Sequence, residues 1–346
     1  MDDALLAGFP KIQLHEHLDG GLRPSTIIEL ADECGYEGLP TTDATLLADW
    51  FARTVKVGGL PGYLRTFEHT ISVLQTPEAI ERVAYESAVD LAADGVIYAE
   101  VRFAPELNTR TGLGLDGVIE SALAGFARGS AEASIGIGYI VDGMRHASRT
   151  LEAARAAVRW KHQGVVGFDI AGPELGYPPG DHREAFDVAR SAGLGVTIHA
   201  GEADGLGSIT QALAACGADR LGHGVRIIDD IDGDNLGPLA EEVRFRGVTL
   251  EMCPRSNVDT GAVPSLAEHP IDRLLGLGFA VTVNCDNRLM SATSPTSELR
   301  GLVDVFGWGL EEVAAVNRNA ARAVFAPESV RRDLASRLEA FTGGVR

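Results

Sequence analysis

Eight short apolar, β-branched runs punctuate this chain, at residues 11–15, 96–103, 135–141, 165–170, 195–199, 219–222, 248–252 and 280–284. Runs of this length and composition read as strands. Helical stretches lie between most of them. Residues 116–133 are Ala-rich and amphipathic, 150–163 and 182–192 behave likewise, and 208–216 opens on a plausible capping serine and stops before Gly217. Strand then helix, repeated, builds a parallel sheet. An open doubly wound sheet would carry a glycine fingerprint after its first strand and gather its ligand at one crevice. No G-x-G-x-x-G follows the first strand here. The chemistry-bearing residues instead follow strands one, four, five, six and eight, and only a closed barrel brings those ends around one pocket. The sequence therefore predicts an α/β fold: a TIM-like (β/α)8 barrel forming one catalytic domain over 1–346.

Five short segments carry those residues: H-E-H at His15 and His17, D-I-A-G at Asp169 to Gly172, H-A-G-E at His199 to Glu202, G-H-G around His223, and N-C-D-N at Asn284 to Asn287. His15 and His17 are two apart on a strand, so both rings point to one face, roughly 7 Å apart at the backbone. An H-x-H pair ending a strand, with a third histidine at another strand tip, is a metal-binding pattern, since zinc takes neutral imidazoles and carboxylates and leaves a position for water. Asp286 follows the eighth strand, which neighbours the first in a closed barrel. Glu202 lies in the loop after His199, and a carboxyl enclosed there keeps its proton and can donate it. His223, between glycines, reads as a fourth ligand or a general base. Asp19, just past the first strand, reads as a holder of a polar substrate group or as a turn cap. The fourth strand holds no lysine to bridge two metals, so one metal ion is expected. The H-x-E … P-C-x-x-C signature of cytosine-type deaminases is absent, because Cys253-Pro254 has no second cysteine at the required spacing.

Charge narrows the partners. With 30 basic against 49 acidic residues the net charge is −19, which repels nucleic acid unless a local patch reverses the field. A small neutral or weakly charged substrate is expected, with no nucleic acid and no membrane partner. No apolar run approaches the roughly 18 residues of a membrane span. The acidic N-terminal segment lacks the pattern of a signal peptide, and four cysteines show no paired spacing. Together these predict a cytoplasmic protein with reduced thiols. The long gap between the first two strands predicts an extra helical layer, with helices at 24–35 and 42–52 and two more within 60–95, set over the strand ends as a lid. A helix at 310–341 is expected to close the barrel wall.

Taken together, P-K-I-Q-L-H-E-H-L-D-G, G-F-D-I-A-G, H-A-G-E, L-G-H-G-V and C-P-R-S-N resemble the adenosine deaminase family of the amidohydrolase superfamily, in its order and spacing from Pro10 to about Asn287. The resemblance implies hydrolytic deamination of adenosine and 2′-deoxyadenosine by a barrel holding one zinc ion. It implies His15, His17, His199 and Asp286 as zinc ligands, with His17 also binding the substrate and Asp286 also catalytic. It implies Glu202 as proton donor to purine N1 and His223 as the group that orients or deprotonates the attacking water. Asp19 would sit near the ribose 5′ end, Gly172 near the base. The family's best-known members carry a second aspartate followed by proline where this chain has Asn287-Arg288. An asparagine NH2 can still donate to N7 of the base, so Asn287 is read as a substrate contact and Arg288 as one half of a salt bridge. The same resemblance leaves open a related reaction on adenine or on a 5′-modified adenosine such as aminodeoxyfutalosine. A non-catalytic binding protein on this fold should have lost a ligand or Glu202, and none is lost.

Overall fold

The computed structural model describes residues 1–344, so the last two positions of the predicted 1–346 span lie outside the described residues. Eight parallel strands run in sequence order around the molecule: β1 (Lys11–His17), β2 (Val96–Phe103), β3 (Gly136–Met144), β4 (Val165–Ala171), β5 (Gly195–Ala200), β6 (Arg220–His223), β7 (Thr249–Met252) and β8 (Val281–Val283). This is the predicted barrel. A two-stranded hairpin, Ile231–Asp232 with Asn235–Leu236, stands outside it.

Closure between β8 and β1 uses few ladder bonds. At the top, His17 N donates to Asp286 O (2.7 Å) and Asp286 N to His15 O (3.0 Å). Lower down, side-chain amides replace peptides. Leu14 N donates to Asn284 Oδ1 (2.8 Å), Cys285 N to Gln13 Oε1 (3.0 Å), and Gln13 Nε2 to Val283 O (3.1 Å). A primary amide offers the same donor and acceptor as a peptide unit, so Gln13 and Asn284 satisfy buried backbone groups that short strands leave over.

The barrel interior is charged as well as apolar. Arg102, Arg220, Glu100 and Glu251 are all essentially unexposed. Arg220 pairs with Glu100 and Glu251 (2.6 Å each), and Arg102 with Asp169 (2.7 Å) and Glu251 (2.8 Å). Buried charges persist only when compensated this fully. The chain of pairs links the bottom of the barrel to the strand ends above.

Between β1 and β2 lie five helices: Pro24–Cys34, Ala44–Thr54, Gly59–Arg65, Phe67–Val73 and Pro77–Ala93. The 60–95 stretch thus holds three helices where two were expected. Thr66 breaks the first, its hydroxyl donating back to Tyr63 O (2.7 Å). Thr76 then caps the third, with Pro77 at its first position. Leu60, Tyr63, Leu64 and Phe67 hang over the strand ends, as the lid expectation required. The C-terminal helix is two, Leu310–Ala323 and Glu328–Gly344, interrupted at Pro327. A helix at Pro295–Phe306, with a capping box at Ser294, was not anticipated. The helix expected at 208–216 is Leu206–Ala214. Its serine does not cap, because Ser208 Oγ donates to Glu174 instead (2.6 Å).

Candidate active site

All the predicted site residues except His15 line one cavity of about 460 Å³ at the C-terminal ends of the strands, where barrel sites form. His15 lies just beneath its wall, fully buried. A larger cavity, about 860 Å³, opens at the opposite ends around Gly195 and Phe325 and contains none of them.

The histidines converge. His15 and His199 ring centroids are 4.5 Å apart, His15 and His17 5.2 Å, and His15 and His223 4.8 Å. Asp286 Oδ1 lies 3.5 Å from His15 Nε2 and 3.4 Å from His17 Nε2. His17 Nε2 and His199 Nε2 are 3.3 Å apart. Gly222 makes room, since a Cβ there would stand 3.2 Å from His15 Cε1. His223 (φ 61°) and Asp286 (φ 62°) both adopt left-handed backbone, a conformation uncommon for such residues and concentrated at functional sites. The glycines around His223 do not carry this strain alone.

Partners behind the rings fix the tautomers. His199 Nδ1 lies 2.7 Å from Asp169 Oδ2, and His15 Nδ1 lies 3.0 Å from Glu251 Oε2. A carboxylate accepts, so both Nδ1 atoms carry the proton and both Nε2 atoms present lone pairs inward. His15 Nε2 is buried with no hydrogen-bond partner. Asp286 Oδ2 accepts from Ser256 Oγ (2.5 Å), which leaves Oδ1 facing the rings. Lone pairs and a carboxylate oxygen aimed at one point repel one another unless a cation lies between them. His15, His17, His199 and Asp286 could hold such an ion, and His15, His199 and Asp286 have their outer atoms oriented as metal ligands require. Burial alone would raise Asp286, but His15 beside it and the other nearby imidazoles hold it well below the carboxylate range.

Glu202 faces this cluster. Its Oε1 accepts from Thr260 Oγ1 (2.9 Å), and Oε2 lies 3.7 Å from His223 Nε2. Burial, then the charges of Asp286 and Glu174, push its carboxyl up to about 7. Its loop is held by a carboxylate the sequence reading overlooked. Glu174 accepts from the backbone N–H of Gly201 (2.6 Å), Glu202 (3.0 Å), Ala203 (2.7 Å) and Asp204 (2.9 Å), and from Ser208.

A second relay orients His223. Ile271 N donates to His269 Nδ1 (3.1 Å), so His269 carries its proton on Nε2. That proton goes to Asn257 Oδ1 (3.1 Å), and Asn257 Nδ2 therefore donates to His223 Nδ1 (3.0 Å). Neutral His223 then bears N–H on Nε2, toward the cavity. Burial lowers its pKa to about 4, so the ring stays neutral. His269 is not among the residues that the sequence singles out. Its only sequence signal is its proximity to the C-P-R-S-N segment, which also supplies Ser256 and Asn257.

The remaining wall is different. Asp19 is buried, its Oδ1 has no partner, and burial pushes its carboxyl up to about 7. Gly172 has φ +101°, and a Cβ there would meet His146 Nδ1 at 3.0 Å and Met144 Cε at 3.1 Å, so the wall is open because the residue is glycine. Asn287 packs its side chain on Gly20 and its Oδ1 is unpaired, while the Tyr63 hydroxyl of the lid, close by, pairs with Ser291 Oγ (3.1 Å). Arg288 turns away from the cavity into a buried pair with Glu16 (2.5 Å), the salt bridge expected of it. Asp142, at the end of β3, also lines the cavity. The sequence reading ended that strand at Val141 and missed it.

The adenosine deaminase family model matches residues 10–341. The chain is 54% identical over 328 residues to the adenosine deaminase of Mycobacteroides abscessus, covering 92% of this chain and 91% of that one. Among solved structures it resembles the adenine deaminase of Arthrobacter aurescens (TM-score 0.88, 27% identity, 96% of this chain and 99% of that one). It also resembles a zinc-bound amidohydrolase of Burkholderia ambifaria (TM-score 0.84, 24% identity, 99% and 94%).

Proposed function

The chain belongs to the adenosine deaminase family and is a hydrolytic deaminase, and from that premise we propose that it converts adenosine and 2′-deoxyadenosine to the 6-oxo nucleoside and ammonia, with one zinc ion held by His15, His17, His199 and Asp286. The observation that carries the reading is the pairing of a proton-holding Glu202 with a converging set of imidazole lone pairs. Zinc bound there would supply Lewis acidity that brings the pKa of water from about 16 toward 7.

The chain's own residues do the rest. Protonated Glu202 gives its proton to N1, which makes C6 electrophilic. This class of proton transfer contributes roughly 100- to 10,000-fold. Water oxygen bonds to C6, the C6–N6 bond breaks, and the two water protons are accounted for by N6 leaving as NH3 and by recharging Glu202. His223 Nε2–H is a donor, so it orients and stabilises the oxygen that gains charge at C6; its tautomer does not suit it to act as a base. Gly172 leaves space for the base, Asn287 donates to N7, and Asp19 takes a polar group of the ribose. One catalytic domain and a cytoplasmic location fit this reading.

The test is a spectrophotometric screen of adenosine, 2′-deoxyadenosine, adenine, AMP and 5′-modified adenosines, with and without a chelator. Chelator-sensitive turnover led by adenosine and 2′-deoxyadenosine, with about one zinc per chain, is expected. Preference for adenine or AMP, or full activity after thorough chelation, overturns it.

A further inference from the structure

We propose that Asp142 contacts the substrate and determines specificity, accepting a hydrogen bond from a ribose hydroxyl of the bound nucleoside. This rests on the functional reading above.

Asp142 lies on β3 in register with Asp169 of β4, so both side chains point into the barrel from one layer. It is completely unexposed to solvent, yet it lines the active-site cavity. Neither of its oxygens has a hydrogen-bond partner. The nearest cationic candidate, His17 Nδ1, is 3.6 Å away, beyond hydrogen-bond reach. Arg102 commits its two terminal nitrogens to Asp169, Glu251 and Leu14 O, and its Nε is also unpartnered.

The inward carboxylates of β4 and β7 beside it are spoken for. Asp169 accepts from Arg102, His199 and two backbone amides. Glu251 accepts from Arg102, His15 and Thr197. A buried carboxyl with two empty acceptors is costly and demands an explanation. The cavity supplies one, because a ligand can bring the missing donor.

Adenosine carries donors only at N6 and on the ribose. N6 belongs beside Glu202 and His223, on the loops after β5 and β6. β3 stands between β2 and β4, and Asp142 shares the cavity and an electrostatic contact with Asp19, the residue assigned to the ribose. This is the ribose side, which leaves the hydroxyls. Two carboxyls on this wall would grip the sugar from two directions.

The alternative is that Asp142 merely orients His17, and a substrate-by-variant cycle separates the two. Adenosine and its 2′-, 3′- and 5′-deoxy analogues would be assayed with wild type, Asp142→Ala and Asp142→Asn, with metal content measured in each. A hydrogen bond lost in a buried site corresponds to roughly 5- to 100-fold. Asp142→Ala should lower kcat/KM for adenosine by about that factor, mostly through KM, with metal unchanged. One deoxy analogue should lose a similar factor in wild type and little more in Asp142→Ala. Asp142→Asn, which keeps shape and one acceptor, should show the same selectivity at smaller size, and serves if the alanine variant fails to fold. Equal losses for all four substrates, or loss of metal, overturn the contact and leave only His17. Failure of wild type to deaminate any of them overturns the functional reading beneath it.

Discussion

Around His15 and His199, the carboxylates of the barrel interior are fully partnered; around Asp19, Asp142 and Asn287, buried oxygens stand empty. The first wall is preorganised by the protein itself. Asp169, Glu251 and Arg102 set ring tautomers and lone-pair directions before any ligand arrives, and such preorganisation makes electrostatic stabilisation effective. The second wall is left incomplete, as a surface that a polar ligand finishes. One side of the cavity is built for chemistry and the other for recognition. Substitutions on the first should therefore cost turnover or metal, and substitutions on the second should cost discrimination between substrates.

The largest effect is expected at Glu202. Glu202→Gln keeps the shape and removes the transferable proton, so turnover should fall by about 100- to 10,000-fold while zinc stays near one per chain. Loss of zinc with activity in the remaining metal-bound fraction would make Glu202 a ligand and blur the contrast between the walls. The same residue sets the pH dependence. Its carboxyl is pushed up to about 7, chiefly by burial, and only the protonated form donates. Wild-type kcat/KM should hold below that value and fall about tenfold per unit above it. That limb should vanish in Glu202→Gln.

Asp169 tests the saturated wall directly. Asp169→Asn takes the charge from beneath both Arg102 and His199. Removing one member of a buried pair typically costs about 3–5 kcal/mol, and disturbing a ligand's outer partner costs about 10- to 100-fold in metal affinity. Denaturant unfolding and metal titration should show both losses. A variant of unchanged stability and metal affinity would mean that the wall does not need its pairs.

Much of this contrast was legible in the sequence, and the part that was not has a physical reason. The strand-helix alternation gave the barrel, because period and turn residues are local signals. Histidines at strand tips announced themselves through H-x-H and H-A-G-E. Glu174, Glu251, Asp142 and Arg102 stayed hidden, since each is a lone charged residue in or beside an apolar run, and its meaning comes from groups up to 236 residues away. The sequence offers no rule that pairs Arg102 with Glu251. Lid boundaries blurred for another reason: Thr66 ends a helix by a hydroxyl bond to its own preceding turn, where no glycine or proline marks the stop.

His269 probes the boundary between the walls, for it acts on His223 without touching the cavity. His269→Phe removes the donor to Asn257, so the asparagine is free to turn and His223 can present the wrong nitrogen. A roughly 10-fold or greater loss in kcat is expected, with little change in zinc content. His269→Gln has an N–H for Asn257 and an oxygen for Ile271 N, and should restore most of it. If phenylalanine and glutamine lose equally, the residue packs rather than polarises.

The smallest effect belongs to the open wall at Asn287. Its side chain lies beside the Tyr63 hydroxyl of the lid, and its amide N–H is the donor proposed for N7. A 7-deaza analogue has C–H at that position and cannot accept, so wild type should bind 7-deazaadenosine more weakly than adenosine by about 1–3 kcal/mol. Asn287→Ala should weaken adenosine and leave the deaza analogue much less affected, because that ligand never had the bond. Zinc content should not move, since Asp286 and not Asn287 faces the rings. Asn287→Asp sharpens the test: a carboxylate can bond N7 only if one of the two is protonated, so this variant's activity should depend more steeply on pH near neutrality. Binding of both ligands to all three proteins decides it. Equal losses for adenosine and its deaza analogue in Asn287→Ala would assign the residue to holding Tyr63 and the lid, and would place Asn287 on the wall that is complete without a ligand.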